Sequence, residues 1–174
     1  MANYISVPIL DELVRFAERD SRYEDAVKAS SSSILAHNFS PLNSFVVAPK
    51  QNRNNHYTDF IVLRIQRRFP GDREIVDHTV VKVKRQADSL DESLKELENV
   101  LENSNTEFGC CWALLIRGVE FMFYEYHQSR PVDNRLLPWG HQLGQNTYHV
   151  RRDSEIIDGM FQRMIQQDTP AIRG

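Results

Sequence analysis

Two lysines spaced by one residue give this sequence its clearest chemical feature. In Val80-Val81-Lys82-Val83-Lys84-Arg85 apolar and basic residues alternate. An extended strand there places His78, Lys82 and Lys84 on one face and Val81 and Val83 on the other. Burying ammonium groups is costly, so such a face must open to water or to a ligand. More basic residues surround it. Between Arg64 and Arg85 stand seven (Arg64, Arg67, Arg68, Arg73, Lys82, Lys84 and Arg85) against the three acids Asp72, Glu74 and Asp77. A hairpin with that excess suits contact with a phosphate backbone, although lysine and arginine also guard sheet edges against unwanted pairing.

Other chemistries leave no signature. The sequence holds no phosphate-cradling Walker loop, no glycine-rich dinucleotide fingerprint, no HExxH and no GxSxG. His37, His56, His78, His127, His141 and His149 are scattered and form no pair at metal-ligand spacing. Cys110 and Cys111 are adjacent, which suits neither a disulfide framework nor a zinc site; they read as small buried hydrophobes in a strand.

The elements that must position these residues follow from periodicity. Leu10, Leu13, Val14 and Ala17 predict a helix over Val7 to Arg19, with Ser6 as N-cap and Pro8 in the first turn. A more polar helix is expected over Arg22 to Ala36, with Tyr23, Val27 and Leu35 as anchors; the serine run Ser30–Ser33 leaves its end open. Phe45-Val46-Val47 is a short strand, Gln51 to His56 a loop, and Tyr57 to Phe69 and Glu74 to Arg85 two long strands joined at Pro70-Gly71-Asp72. Leu90, Leu94, Leu97 and Leu101 make the stripe of a helix over Ser89 to Asn103, with a capping-box pattern in Ser89 and Glu92. Cys110 to Ile116 and Val119 to Tyr126 are strands around the turn Arg117-Gly118. Phe121 and Phe123 share a face, so packing is expected of them, although Phe121, Phe123, Tyr124 and Tyr126 also have the chemistry to stack on bases. Residues 129–147 read as an irregular cover in which Trp139 is a packing plug. A short strand at Tyr148 to Val150 and a helix over Ser154 to Gln166 complete a mixed α/β fold.

Length and composition bound the rest. A chain of 174 residues suits one domain over 1–174, and its net charge of −3 supplies no global field toward nucleic acid or membrane, so such binding needs a local patch. Acidic and basic residues interrupt the first twenty positions, which do not read as a signal peptide, and no run is long enough to span a bilayer. An intracellular protein, cytoplasmic or nuclear, is expected.

The order of these elements resembles the PD-(D/E)XK nuclease-like superfamily over roughly residues 6 to 126. The wording around Arg117-Gly118 and Phe121-Met122-Phe123-Tyr124 looks like fungal members of that superfamily. The resemblance implies a restriction-endonuclease-like core of helix, three strands, helix and strand. It implies an acidic residue at the start of the second strand, matched by Asp59, and an acid-x-lysine motif on the third, matched at its lysine by Lys84. The motif's acidic position is Lys82, which supplies positive charge where Mg²⁺ or Mn²⁺ would need an oxygen donor. Glu92 or Glu96 of the following helix, or Glu12 of the first, are the carboxylates that would join Asp59 if a metal were still held. The resemblance therefore implies a site of Asp59, Lys82 and Lys84, flanked by Arg64, Arg67, Arg68 and Arg85 for nucleic acid. The first expectation is a domain that has lost metal-dependent cleavage and binds nucleic acid or protein. The alternatives are an active Mg²⁺-dependent nuclease with a migrated carboxylate, and an unrelated α/β protein-interaction domain.

Overall fold

The structure, a computed structural model, describes residues 2–20, 22–66, 71 and 73–171. The expected strand end at residues 67–69, together with Pro70 and Asp72 of the turn, lies outside the described residues. Among the described residues four α-helices and seven strands form the fold: α1 (Pro8–Arg19), α2 (Glu24–Asn38), β1 (Phe45–Arg53), β2 (His56–Ile65), β3 (Ile75–Lys84), α3 (Leu90–Glu102), β4 (Cys110–Arg117), β5 (Glu120–His127), β6 (Leu136–Pro138), β7 (Thr147–His149) and α4 (Ser154–Gln166). The strands make one mixed sheet in the order β1-β2-β3-β4-β5-β6, with β7 also pairing β5. Neighbouring strands in the sheet pair antiparallel, except that β3 and β4 run parallel and need a crossover, which α3 supplies.

Each face of the sheet has its own core. On one side α1, α2 and α4 bury Val14, Val27, Ile34, Leu35, Ile157, Met160 and Phe161 against Phe60, Val62, Val81, Val83, Leu114 and Phe123. On the other α3 buries Leu97, Val100 and Leu101 against Ile61, Val80, Ala113 and Leu115. Each such side chain contributes about 1.5–3 kcal/mol relative to leaving it exposed. Phe161 alone meets Phe39, Phe121 and Phe123 edge-on, which fixes α4 across the middle of the sheet. Trp139 packs on Trp112 with ring centroids 4.5 Å apart, as expected of a plug.

Several boundaries differ from the sequence reading, each for a local reason. Val7, not Ser6, is the N-cap of α1, because the Ser6 hydroxyl donates to the Asn3 carbonyl instead. The serine run leaves α2 unbroken. Ser31 and Ser33 donate back to the carbonyls of Val27 and Ala29, so their hydroxyls are satisfied within the helix, which runs on to Asn38. The expected loop at Gln51 to His56 is mostly strand: β1 extends to Arg53 and turns tightly through Asn54 and Asn55, both at positive φ (55° and 68°). Asparagine tolerates that left-handed backbone, which two-residue hairpins require. β6 replaces part of the expected irregular cover.

His78 does not sit where strict alternation along β3 would put it. The β2–β3 register steps from Val62↔Thr79 to Leu63↔Asp77, so His78 is an extra residue in β3 and the alternation of faces resets there. Its ring meets Phe39 and Phe45 on the α2/α4 side and bonds the Met164 carbonyl. It does not share the lysine face.

Candidate functional site

The β2–β3 ladder stops at Phe60↔Val81, although both strands continue. Beyond that point β2 pairs with β1 and β3 with β4, leaving a fork whose backbone groups still require partners. Side chains supply them. The Thr58 hydroxyl donates to the Val81 carbonyl at 2.5 Å. Asp59 Oδ2 accepts from the Val83 amide at 2.7 Å. Lys82 Nζ donates to the Tyr57 carbonyl at 2.9 Å. Distortion reaches β1 as well, whose partners run Pro49↔Phe60 then Gln51↔Thr58, omitting Lys50 opposite Asp59. Lys50 stands at φ 48°, a conformation that costs energy in a residue with a side chain.

Charge at the fork is balanced. Asp59 Oδ1 pairs with Lys28 of α2 at 3.0 Å, and Lys28 also pairs with Glu24 at 2.7 Å. Burial pulls the Lys28 ammonium down, but its bonds to Glu24 and Asp59 outweigh that and raise it. Lys82 and Lys84 both reach Glu96 Oε2 of α3, at 3.2 and 2.8 Å. Burial pushes the Glu96 carboxyl up, yet the bonds from Lys84 and Lys82 outweigh it and hold the group below the ordinary glutamate range. Glu24, Asp59 and Glu96 thus face Lys28, Lys82 and Lys84, three anions against three cations. Beside them lies a polar cleft of about 250 Å³, lined by Asn55, His56, Tyr57, Lys82, Glu96 and Asn99.

Asp59 therefore meets Lys28 on the α2 side, and Lys82 and Lys84 meet Glu96 on the α3 side, with the Val83 amide linking Asp59 to the end of β3. The other expected carboxylates do not join them. Glu12 pairs with Arg15 on α1, which packs mainly against α2 and the N-terminal turn. Glu92 is exposed one turn before Glu96. Among the described residues no three His, Cys, Asp or Glu side chains are grouped so as to hold a metal ion.

The basic residues are less available than their number suggests. Arg64, expected at a phosphate, is buried with a side chain 1% exposed; it pairs with Glu107 and bonds the Asp168 carbonyl at 3.3 Å. Arg67 and Arg68 lie outside the described residues. Arg85 is exposed and pairs with Asp88 at 2.9 Å. The aromatics of β5 are buried and present no stacking surface.

One constellation escaped the sequence reading. Cys110, His127 and Glu125 are buried in a row: Cys110 Sγ lies 3.5 Å from His127 Nδ1, and His127 Nε2 lies 3.1 Å from Glu125. The signal was the Arg117-Gly118 turn, because a hairpin closed there sets Cys110 opposite His127. Burial, then the nearby Glu125, push the Cys110 thiol up, away from the thiolate that nucleophilic chemistry needs. A separate apolar groove of about 440 Å³ lies at the opposite end of β1–β3, lined in part by Pro41, Val46, Leu63, Ile65 and Ile75.

Compared with family models, with curated proteins and with solved structures, the chain matches none. No helix among the described residues is long and apolar enough to cross a membrane.

Proposed function

We propose that this chain is a nucleic-acid-binding domain built on a PD-(D/E)XK nuclease-like core whose metal site has been replaced by lysine. The element order α1/α2, β1–β3, α3 and β4, with β3 and β4 parallel, is compatible with the helix–three strands–helix–strand core that the resemblance implies. The observation that carries the functional reading is the arrangement at the fork. Asp59, the one carboxylate at the family's first acidic position, is occupied by the Val83 amide and by Lys28. The next position presents the Lys82 ammonium, with Lys84 beside it. The two ammonium groups are donors suited to an oxyanion rather than ligands for a divalent cation. Recognition of phosphate oxygens by two lysines positions a strand without reading its bases, so weak, sequence-independent binding is the expected mode.

A labelled single-stranded oligonucleotide and its duplex, offered with and without Mg²⁺ or Mn²⁺, test this reading. Binding by wild type, lost in the Lys82→Met/Lys84→Met double variant and unaccompanied by cleavage, supports it. Metal-stimulated cleavage that disappears in Asp59→Ala would replace it with an active nuclease using a migrated carboxylate. Activity that emerges only in Lys82→Glu would identify a nuclease scaffold disabled at that residue. Indifference of all variants to nucleic acid would leave a protein-interaction domain.

A further inference from the structure

Lys82 and Lys84 sit at alternate positions of β3, so their Cα atoms are roughly 6.6 Å apart along the strand. Their ammonium groups nevertheless converge on a single oxygen, Glu96 Oε2, at 3.2 and 2.8 Å. The three partners are not equally fixed. The lysine side chains are 14% and 22% exposed, whereas Glu96 is 44% exposed. Lys82 is further held by the Tyr57 carbonyl. Lys82 is anchored and Lys84 largely enclosed, whereas the glutamate, on a helix beside open solvent, is the member able to swing away.

We propose that the Lys82–Lys84 pair is a seat for one phosphate group and that the Glu96 carboxylate is its resident competitor, which a phosphodiester must displace to bind. The proposal rests on the nucleic-acid reading above and adds how access is controlled. A carboxylate oxygen and a non-bridging phosphate oxygen are the same kind of acceptor for an ammonium group, so one replaces the other without moving the lysines. The low-lying Glu96 carboxyl shows that this position favours negative charge. The adjoining cleft of about 250 Å³ has room for what is attached to the phosphate, and Tyr57, 64% exposed, offers a ring face at its edge. That volume lies below the roughly 300–1,000 Å³ of sites that enclose drug-sized ligands, which favours one nucleotide of a single strand over a duplex. With no occupant the two ammonium groups would repel each other on a half-buried strand, and Glu96 also removes that cost.

Glu96→Gln tests this, because it removes the charge and keeps an acceptor oxygen for the lysines. Asp91→Asn, at an exposed position earlier on α3, makes the same change in net charge away from the seat. Inorganic phosphate and a single-stranded oligonucleotide are the probes, and thermal unfolding confirms that each variant is folded. Glu96→Gln is expected to tighten both probes roughly three- to thirtyfold, the range set by releasing two partly exposed ion pairs, while Asp91→Asn stays near wild type. Adding Lys84→Met to Glu96→Gln should abolish the gain. Equal tightening in Glu96→Gln and Asp91→Asn would reduce the effect to net charge and overturn the proposal, as would weaker binding in Glu96→Gln. Lysine-dependent oligonucleotide binding that Glu96→Gln leaves unchanged would overturn the proposal and leave the functional reading standing. A gain for inorganic phosphate with no variant binding oligonucleotide would uphold the seat and remove nucleic acid as its ligand. Glu96→Ala provides a second route to the vacated seat should the glutamine variant fold poorly.

Discussion

Asp59 accepts a hydrogen bond from the Val83 amide at 2.7 Å, so a side-chain oxygen stands where a neighbouring strand would offer a carbonyl. Val83 lies between Lys82 and Lys84, and this one bond joins the acidic and basic halves of the fork. The role is structural as well as electrostatic, because the Asp59 side chain is 13% exposed and also receives Lys28.

Asp59→Ala leaves the Val83 amide without an acceptor and Lys28 with Glu24 alone. A buried donor left unsatisfied costs about 1–3 kcal/mol, and urea unfolding should show a loss of that size. Asp59→Asn keeps an oxygen for the amide and should lose less. Equal losses in the two variants would mean that the charge, and not the amide bond, is what Asp59 contributes.

The Arg64–Glu107 pair predicts a different kind of loss. Both side chains are almost fully buried, at 1% and 4% exposure. Arg64→Met takes the guanidinium away from a buried carboxylate, and breaking a buried pair from one side costs about 3–5 kcal/mol. Denaturant midpoints should fall accordingly, with oligonucleotide affinity unchanged in the folded fraction. A stable Arg64→Met that binds less tightly would restore this arginine to the nucleic-acid surface.

Asp158 gives stability a dependence on pH. Burial pushes its carboxyl up, and the bonds from Asn38 and the Tyr4 amide only partly offset this. A carboxyl whose folded pKa is raised contributes fully while protonated and loses that contribution as pH rises through the folded value. Asp158→Asn does not titrate. Its stability relative to wild type should therefore improve between about pH 4 and about pH 7, measured by denaturant unfolding at each pH. A difference that stays constant across that range would remove Asp158 as the source.

Salt dependence reports directly on the lysines. For single strands the slope of log affinity against log salt is about −0.7 per phosphate neutralised. Lys82→Met and Lys84→Met, which share one phosphate, should between them make the slope shallower by about that amount, and Arg64→Met should not. An unchanged slope in both lysine variants would place the phosphate contacts elsewhere.

Much of the fold was legible where one periodicity governs one element. The leucine stripe and Ser89 marked α3 nearly to the residue, and Ile157, Met160, Phe161 and Met164 did the same for α4. Element type failed where a two-residue event decides it. Asn54-Asn55 carries the chain from β1 into β2, and nothing in the polar run from Gln51 to His56 weighs as much as those two left-handed positions. The shared face of Lys82 and Lys84 was legible because alternation holds from Thr79 onward. His78 was misplaced because a bulge resets alternation and leaves no mark in composition. Arg64 was misread because its partner Glu107 is distant in sequence, and a charge count is blind to burial. Glu96 was named for a metal that it would share with Asp59, whereas the structure gives it the two lysines.

The most direct test of the account is an amide NMR titration of the wild-type chain with a short single-stranded oligonucleotide. The account predicts that the largest shift changes fall on Tyr57, Lys82, Val83, Lys84 and the α3 residues around Glu96, and that they vanish in the Lys82→Met/Lys84→Met variant. Changes centred instead on the apolar groove by Val46, Ile65 and Ile75, or none at saturating oligonucleotide, would contradict it.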